Sequence, residues 1–247
     1  NVETMEKIIR NLIVRTYFNH DVTYIMNLKE SISDYSDYAL RVNRISVDVT
    51  IFDEYVSSVY IYNDFRKEIF KVFEDPYTND DGLLEKLEHI GELPKFRPLI
   101  RDITYSQKGA QRSVKVITYV MYQSLGQDNM PDGAVILNIH SGWLTENIAQ
   151  FSDSSEFYIY DDLGAYITGK NEGSGLDAAV LDELRANASA NNVGILRKNM
   201  GGENYLLAYA YSDNSGLLLV SSRPVDVVYE YINTLKNMTM TITFLFL

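Results

Sequence analysis

An eight-residue phrase occurs twice in this chain, and it restricts the fold more than any other feature. Ser57-Ser58-Val59-Tyr60-Ile61-Tyr62-Asn63-Asp64 returns as Ser155-Glu156-Phe157-Tyr158-Ile159-Tyr160-Asp161-Asp162, with five of the eight positions identical. Each copy alternates in period two, is rich in aromatic and β-branched residues and runs into a polar turn, which is the pattern of a strand entering a hairpin. A second echo lies further on in each half, where an apolar strand begins at a glycine after a polar turn: Gly133-Ala134-Val135-Ile136-Leu137 and Gly216-Leu217-Leu218-Leu219-Val220. The order of elements between the echoes also agrees, so the chain reads as two related modules in tandem.

Residues from Val2 to about Phe52 read as helix. Met5, Ile8, Ile9, Leu12 and Ile13 recur at three- and four-residue spacing, as do Tyr38, Val42, Ile45, Val49 and Phe52. The expected break is Asn19-His20-Asp21, with Asp21 as the cap of the restarted helix. A helical segment of this length cannot bury one face alone, so it must lie along the modules or pair with a second copy as a homodimer. The first module then reads as a strand at 56–63, a return at Lys67 to Phe73 and a helix started by Asp81. An irregular stretch through Pro94 and Pro98 precedes strands at Val114 to Ser124 and Gly133 to Ile139, and 142–151 reads as a short connecting helix. The second module repeats the plan with a strand at 156–161, a return at Ala165 to Thr168, a helix at 176–189 and strands near 193–198, 204–211 and 216–222. Asp226 to Asn237 reads as a final helix. The expected fold class is therefore α+β, a long N-terminal helix followed by two antiparallel-sheet modules. The expected division is 1–55 helical, 56–151 and 152–225 the modules, and 226–247 the closing helix.

Composition excludes several functions. A hydrophobic content of 46% with 23% charged residues is enough for a packed core, while a net charge of −12 denies the basic footprint that nucleic acid requires. Without cysteine the chain has no disulfide framework, thiol nucleophile or zinc-thiolate site, which suits a bacterial extracytoplasmic protein. His20, His89 and His140 fall in different elements with no metal-ligand spacing, and no GxSxG, GxGxxG or P-loop pattern occurs. The acidic pairs Asp80-Asp81 and Asp161-Asp162 sit at turns, where Asp is favoured for local hydrogen bonds. We expect no enzyme activity, no metal and no cofactor. The uncharged stretch from Met238 to Leu247 is shorter than the roughly 20 residues that cross a bilayer and reads as the start of a span.

Strand, strand, helix and three antiparallel strands, taken twice behind a helical lead, resemble the double Cache sensor domains, whose modules are PAS-like. The matching phrases are Ser57 to Asn63, Gly133 to Ile139, Trp143-Leu144 and Tyr158 to Tyr160. The combination looks most like the extracellular part of Gram-positive membrane-bound AraC-type transcription regulators, with two-component histidine kinases and chemoreceptors as the alternative. The resemblance implies an extracellular, ligand-sensing segment tethered by flanking membrane spans, with 56–151 membrane-distal and 152–225 membrane-proximal. A non-sensing interaction or dimerisation module is the rival from another class.

The same resemblance points to candidate site residues. In amino-acid-binding double Cache domains an Arg and a following aromatic pair hold the ligand carboxylate, and an Asp on the closing strand holds the amine. Arg97 matches the Arg, with Arg101 close behind; Leu99 and Ile100 stand in place of the aromatic pair, and Asn138 in place of the Asp. An Asn lacks the charge that an ammonium favours. With Tyr119 and Tyr122 on the adjoining strand, on opposite faces by parity, the expected ligand is a sugar or other neutral polar solute rather than an amino acid, or a ligand-loaded binding protein.

Overall fold

The computed structural model describes residues 2–29, 35–50, 55–74, 78–80, 82–87, 89–90, 93, 97–107, 110–124, 131–143, 156–169, 175–230, 234, 236 and 238–239. Asp81, most of the expected 142–151 helix and the apolar tail from 240 lie outside these residues. The chain divides into two compact units, Asn1–Asn147 and Ile148–Leu247.

The first unit starts with α1 (Val2–Tyr17), α2 (His20–Met26) and α3 (Tyr35–Thr50). The lead is thus helical but broken twice, not once. At the first break the cap is Asn19, whose side-chain oxygen accepts from the Asp21 amide at 2.8 Å. Asp21, expected as the cap, instead reaches across to α3 and binds Arg41 at 2.7 Å and Arg44 at 3.2 Å. The second break, at Asn27, left no glycine or proline in the sequence to announce it.

The sheet that follows comprises β1 (Val56–Asn63), β2 (Glu68–Glu74), β3 (Thr78–Asn79), β4 (Leu99–Gln107), β5 (Ala110–Ser124) and β6 (Pro131–His140), ordered β2-β1-β6-β5-β4-β3 and antiparallel throughout. α1, α2 and α3 pack against one face, and α4 (Leu83–Leu87) covers the other. On the α4 side Tyr60, Tyr62, Val120, Tyr122, Ala134 and Ile136 form a core with Leu83, Leu87 and Ile90. β1 is accordingly buried along its whole length. β4 corrects the sequence reading, which left this stretch irregular and began the next strand at Val114. An arginine at the inward-facing position 101 interrupts the apolar alternation that identifies a strand. Trp143, 5% exposed, packs on Tyr55 with ring centroids 4.8 Å apart.

The second unit has β7 (Glu156–Tyr160), β8 (Tyr166–Gly169), α5 (Ala178–Ala190), β9 (Val193–Met200), β10 (Glu203–Ser212) and β11 (Leu217–Pro224), with strand order β8-β7-β11-β10-β9. Asp177 caps α5 by accepting from the Ala179 amide at 2.9 Å. Val180, Leu184 and Ala188, four residues apart, lie against Tyr158, Tyr160, Leu207, Tyr209, Leu218 and Val220. A helix continues the chain from Val225. Among the described residues no helix is long and apolar enough to cross a membrane.

The repeated phrase occupies one position in both sheets. β1 lies between its hairpin partner β2 and the closing strand β6, and β7 lies between β8 and β11. Tyr60 pairs with Ile136 and Tyr62 with Ala134; Tyr158 pairs with Val220 and Tyr160 with Leu218. The glycine echo has two different causes. Gly133 faces Asn63 where a Cβ would collide with the Tyr62 carbonyl, whereas Gly216 has φ 70° and enters β11 from a turn.

The phrase ends differently for a physical reason. Asn63 and Asp161 each accept a backbone N–H in their hairpin turn, from Arg66 at 2.9 Å and Ala165 at 2.7 Å. Asn63 also donates to the carbonyls of Ile25 at 3.0 Å and Leu28 at 2.9 Å, tying the hairpin to the end of α2. A carboxylate there would face two carbonyl oxygens. Asn63→Asp should therefore destabilise the protein by about 1–3 kcal/mol or more at neutral pH, measured by urea denaturation. The buried carboxyl would have a raised pKa, so its deficit against the parent should narrow as pH falls and the acid regains a donor.

Burial raises the phenol pKa of Tyr60, Tyr62, Tyr119, Tyr122, Tyr158 and Tyr160 above the ordinary value of 10.0. A raised folded pKa means that the fold prefers the neutral phenol, so this stability is intact below pH 10 and is lost as pH rises through the folded values. Absorbance at 295 nm should show these phenols ionising only together with loss of circular dichroism. Free titration near pH 10 in a folded chain would contradict their burial.

Candidate functional site

The register of the first sheet aligns four residues in a row on its α4 face. Leu99 pairs with Thr118, Thr118 with Asn138, and Asn138 with Ser58, while Arg101 sits opposite Val116, one step along the same face. Asp80 enters from the segment between β3 and α4.

Arg101 is 7% exposed, and its guanidinium meets the Asp80 carboxylate with both forks, Nη1 to Oδ1 at 2.5 Å and Nη2 to Oδ2 at 2.8 Å. Nη2 also donates to Asn138 Oδ1 at 3.0 Å and Nε to Thr118 Oγ1 at 2.8 Å. Thr118 donates to Asn138 Oδ1 at 2.6 Å, and Asn138 Nδ2 donates to Ser58 Oγ at 2.7 Å. The network thus runs from Asp80, beside the edge strand β3, across β4, β5 and β6 to β1. A buried guanidinium demands such company, because an uncompensated charge in a low-dielectric interior is costly. Beside the ion pair lies an open recess of about 360 Å³, lined by Asp80, Gly82, Lys86, Ile100, Arg101, Asp102 and Thr104. Among the described residues its ionic groups are two cations and two carboxylates.

Of the five candidate residues, Arg101 and Asn138 meet in this network. Tyr122 shares the α4 face, where its hydroxyl donates to the Leu93 carbonyl at 2.7 Å and its ring belongs to the apolar core. Tyr119 lies on the other face, buried near Glu6 and Arg10 of α1. Arg97 is exposed just before β4. Sequence reasoning missed Asp80, Thr118 and Ser58. Thr118 was within reach, since it shares its strand face with Tyr122 and pairs with Asn138. Asp80 read as an ordinary turn residue and gave no signal.

The second unit supplies an internal comparison. By register Leu196, Leu207, Ser222 and Glu156 take the places of Leu99, Thr118, Asn138 and Ser58, and Lys198 that of Arg101. Lys198 also meets an acid from the helix layer, Glu183 of α5, but the pair is about one-third exposed. Leu207 breaks the polar row, and the buried Ser222 Oγ has no hydrogen-bond partner among the described residues. This unit has a recess of about 130 Å³ beside Asp161, Asp162 and Arg185 and a second, largely apolar one of about 230 Å³ lined by Phe157, Ile159, Ala208 and Ala210. Both units hold a strand cation against an acid, from the segment before α4 in the first and from α5 in the second, and among the described residues only the first extends the pair into a buried polar network.

The sequence matches no protein-family model and no curated protein. Solved structures do match the fold. The sensory domain of the Campylobacter jejuni chemoreceptor Tlp3 with isoleucine bound is 14% identical, covering 92% of this chain and 88% of that chain at a TM-score of 0.56. The same domain in complex with L-valine matches equally at 13% identity, 92% and 88% coverage and 0.56. The extracellular domain of rpHK1S-Z16, assigned as a histidine kinase, is 16% identical, with 92% and 96% covered at 0.55. These are likenesses of fold. They agree with the PAS-like, two-sheet α+β architecture that the sequence resemblance implied.

The network should behave as one unit. Arg101→Lys keeps the charge but loses the fork, and Asn138→Ala removes the bridge, so each should cost about 1–3 kcal/mol in urea denaturation. A double-mutant cycle should give a coupling energy of about 0.5–3 kcal/mol. Additive losses would show two independent contacts.

Proposed function

We propose that this chain is the extracellular ligand-sensing domain of a transmembrane signal transducer, with the small-molecule site in the first unit on the α4 face of its sheet. The observation that carries this reading is the buried Arg101–Asp80–Asn138–Thr118 network bordering an open recess. A pocket with a few convergent polar groups is the usual form of a small-molecule site. A simple interaction module has no need of one. The first unit is then the membrane-distal module and the second the membrane-proximal one, tethered by flanking spans. The neighbours are described as domains of chemoreceptors and histidine kinases, which favours those outputs over the AraC-type regulator that the sequence suggested first. Signalling is a shift of population between two arrangements, in which a ligand acts only through its differential affinity.

The ligand is a small solute without net charge, because the recess carries equal numbers of cations and carboxylates. Groups of both signs suit a zwitterion better than a sugar, and the Campylobacter domain is described with isoleucine and with L-valine. This reverses the preference for sugars drawn from Asn138, Tyr119 and Tyr122. A thermal-shift screen of amino acids and sugars should return a stabilising solute whose effect disappears in Arg101→Gln. A solute acting equally on the variant would move the site elsewhere.

A further inference from the structure

We propose that Asp80 is an internal competitor for the ligand: its carboxylate occupies on Arg101 the place that a solute carboxylate takes, and binding exchanges one carboxylate for the other. This rests on the ligand site proposed above. Four of the five guanidinium N–H groups of Arg101 are already engaged, two with Asp80, one with Asn138 and one with Thr118. An incoming carboxylate finds a fork-shaped partner only when Asp80 leaves. Asp80 and Arg101 both line the recess, so the solute arrives next to the bond it replaces. The exchange keeps the buried guanidinium compensated, since one carboxylate follows another.

Asp80 is carried by a short segment. It lies between the two-residue β3 and the five-residue α4, and its carbonyl accepts from the Leu83 amide at 3.2 Å, so its departure shifts the start of α4. Among its described residues the second unit lacks this device. Its cation is the single ammonium of Lys198, which offers no fork, and its acid sits within the thirteen-residue α5. The apparent affinity of the first unit equals the intrinsic affinity reduced by the fraction of molecules in which Asp80 has released Arg101.

The test uses the 247-residue chain with sodium acetate as probe and sodium chloride at equal ionic strength as control. Asp80→Ala should melt below the parent and recover saturably in acetate, with a half-saturating concentration at least about tenfold lower than in the parent, as expected when the closed fraction is 90% or more. Asp80→Asn, which keeps the shape without the charge, should respond in the same direction and serves if Asp80→Ala does not fold. Asp80→Ala combined with Arg101→Gln should not distinguish acetate from chloride. The proposal is overturned if acetate acts on the single variants no more than chloride does, at the same midpoint as in the parent, or equally on the double variant. Acetate rescue without any solute found in the screen would uphold the exchangeable pair and count against the ligand-site reading. A solute that needs Arg101 but binds the parent and Asp80→Ala alike would remove the exchange and leave the site in place.

Discussion

A guanidinium buried in a sheet sets the terms for everything around it. Arg101 lies on β4, next to the two-residue edge strand, and its charge leaves water only because a carboxylate, an amide and a hydroxyl meet it at hydrogen-bonding distance. Asn138 is needed because Thr118 and Arg101 both donate to its oxygen, and Ser58 because the Asn138 amide must itself donate. The polar row is therefore a chain of obligations passed across four strands, each buried group satisfied by the next. Replacing one member with an apolar residue leaves the others unpaired, which makes the row hard to alter piecemeal.

The two units show one scaffold at two stages of commitment. Strand order, hairpin turns and the tyrosines of the repeated phrase are common to both. At the row they part, since Leu207 stands where Thr118 does and its apolar side chain joins the core beneath α5. A leucine at that position gives a better core, and a threonine gives a buried polar link. The difference between the two units is thus concentrated in a few inward-facing positions of strands that otherwise match.

Periodicity and repetition made the scaffold legible. The alternating phrase located β1 and β7, and four-residue spacing located α5. What stayed hidden was hidden for physical reasons. β4 was missed because Arg101 sits where alternation demands an apolar residue, so the position most involved in the proposed site is the one that spoiled the local signal. The break after Asn27 carries no glycine or proline; Asn27 itself closes α2 by donating its side chain to the Thr23 carbonyl at 2.9 Å, and Asn63 adds bonds to the carbonyls of Ile25 and Leu28. Asp21 looked like a cap and serves as an interhelical clamp, a distinction that depends on where Arg41 arrives in space. Arg97 was picked out by resemblance and Tyr119 by its strand; the structure leaves Arg97 exposed ahead of β4 and sets Tyr119 on the sheet face opposite Arg101.

That last point bears on how a sheet relays force. Successive residues of a strand project to opposite sides, so Thr118, within the polar row, and Tyr119, packed near Glu6 and Arg10 of α1, share one peptide bond while facing different layers. In the first unit the pleat is the shortest rigid linkage between the α4 layer and the N-terminal helices. A twist of β5 imposed from the network side would therefore reach the tyrosine ring and, through it, α1. No wire of side chains has to be threaded through the core, because the strand is both wall and axle.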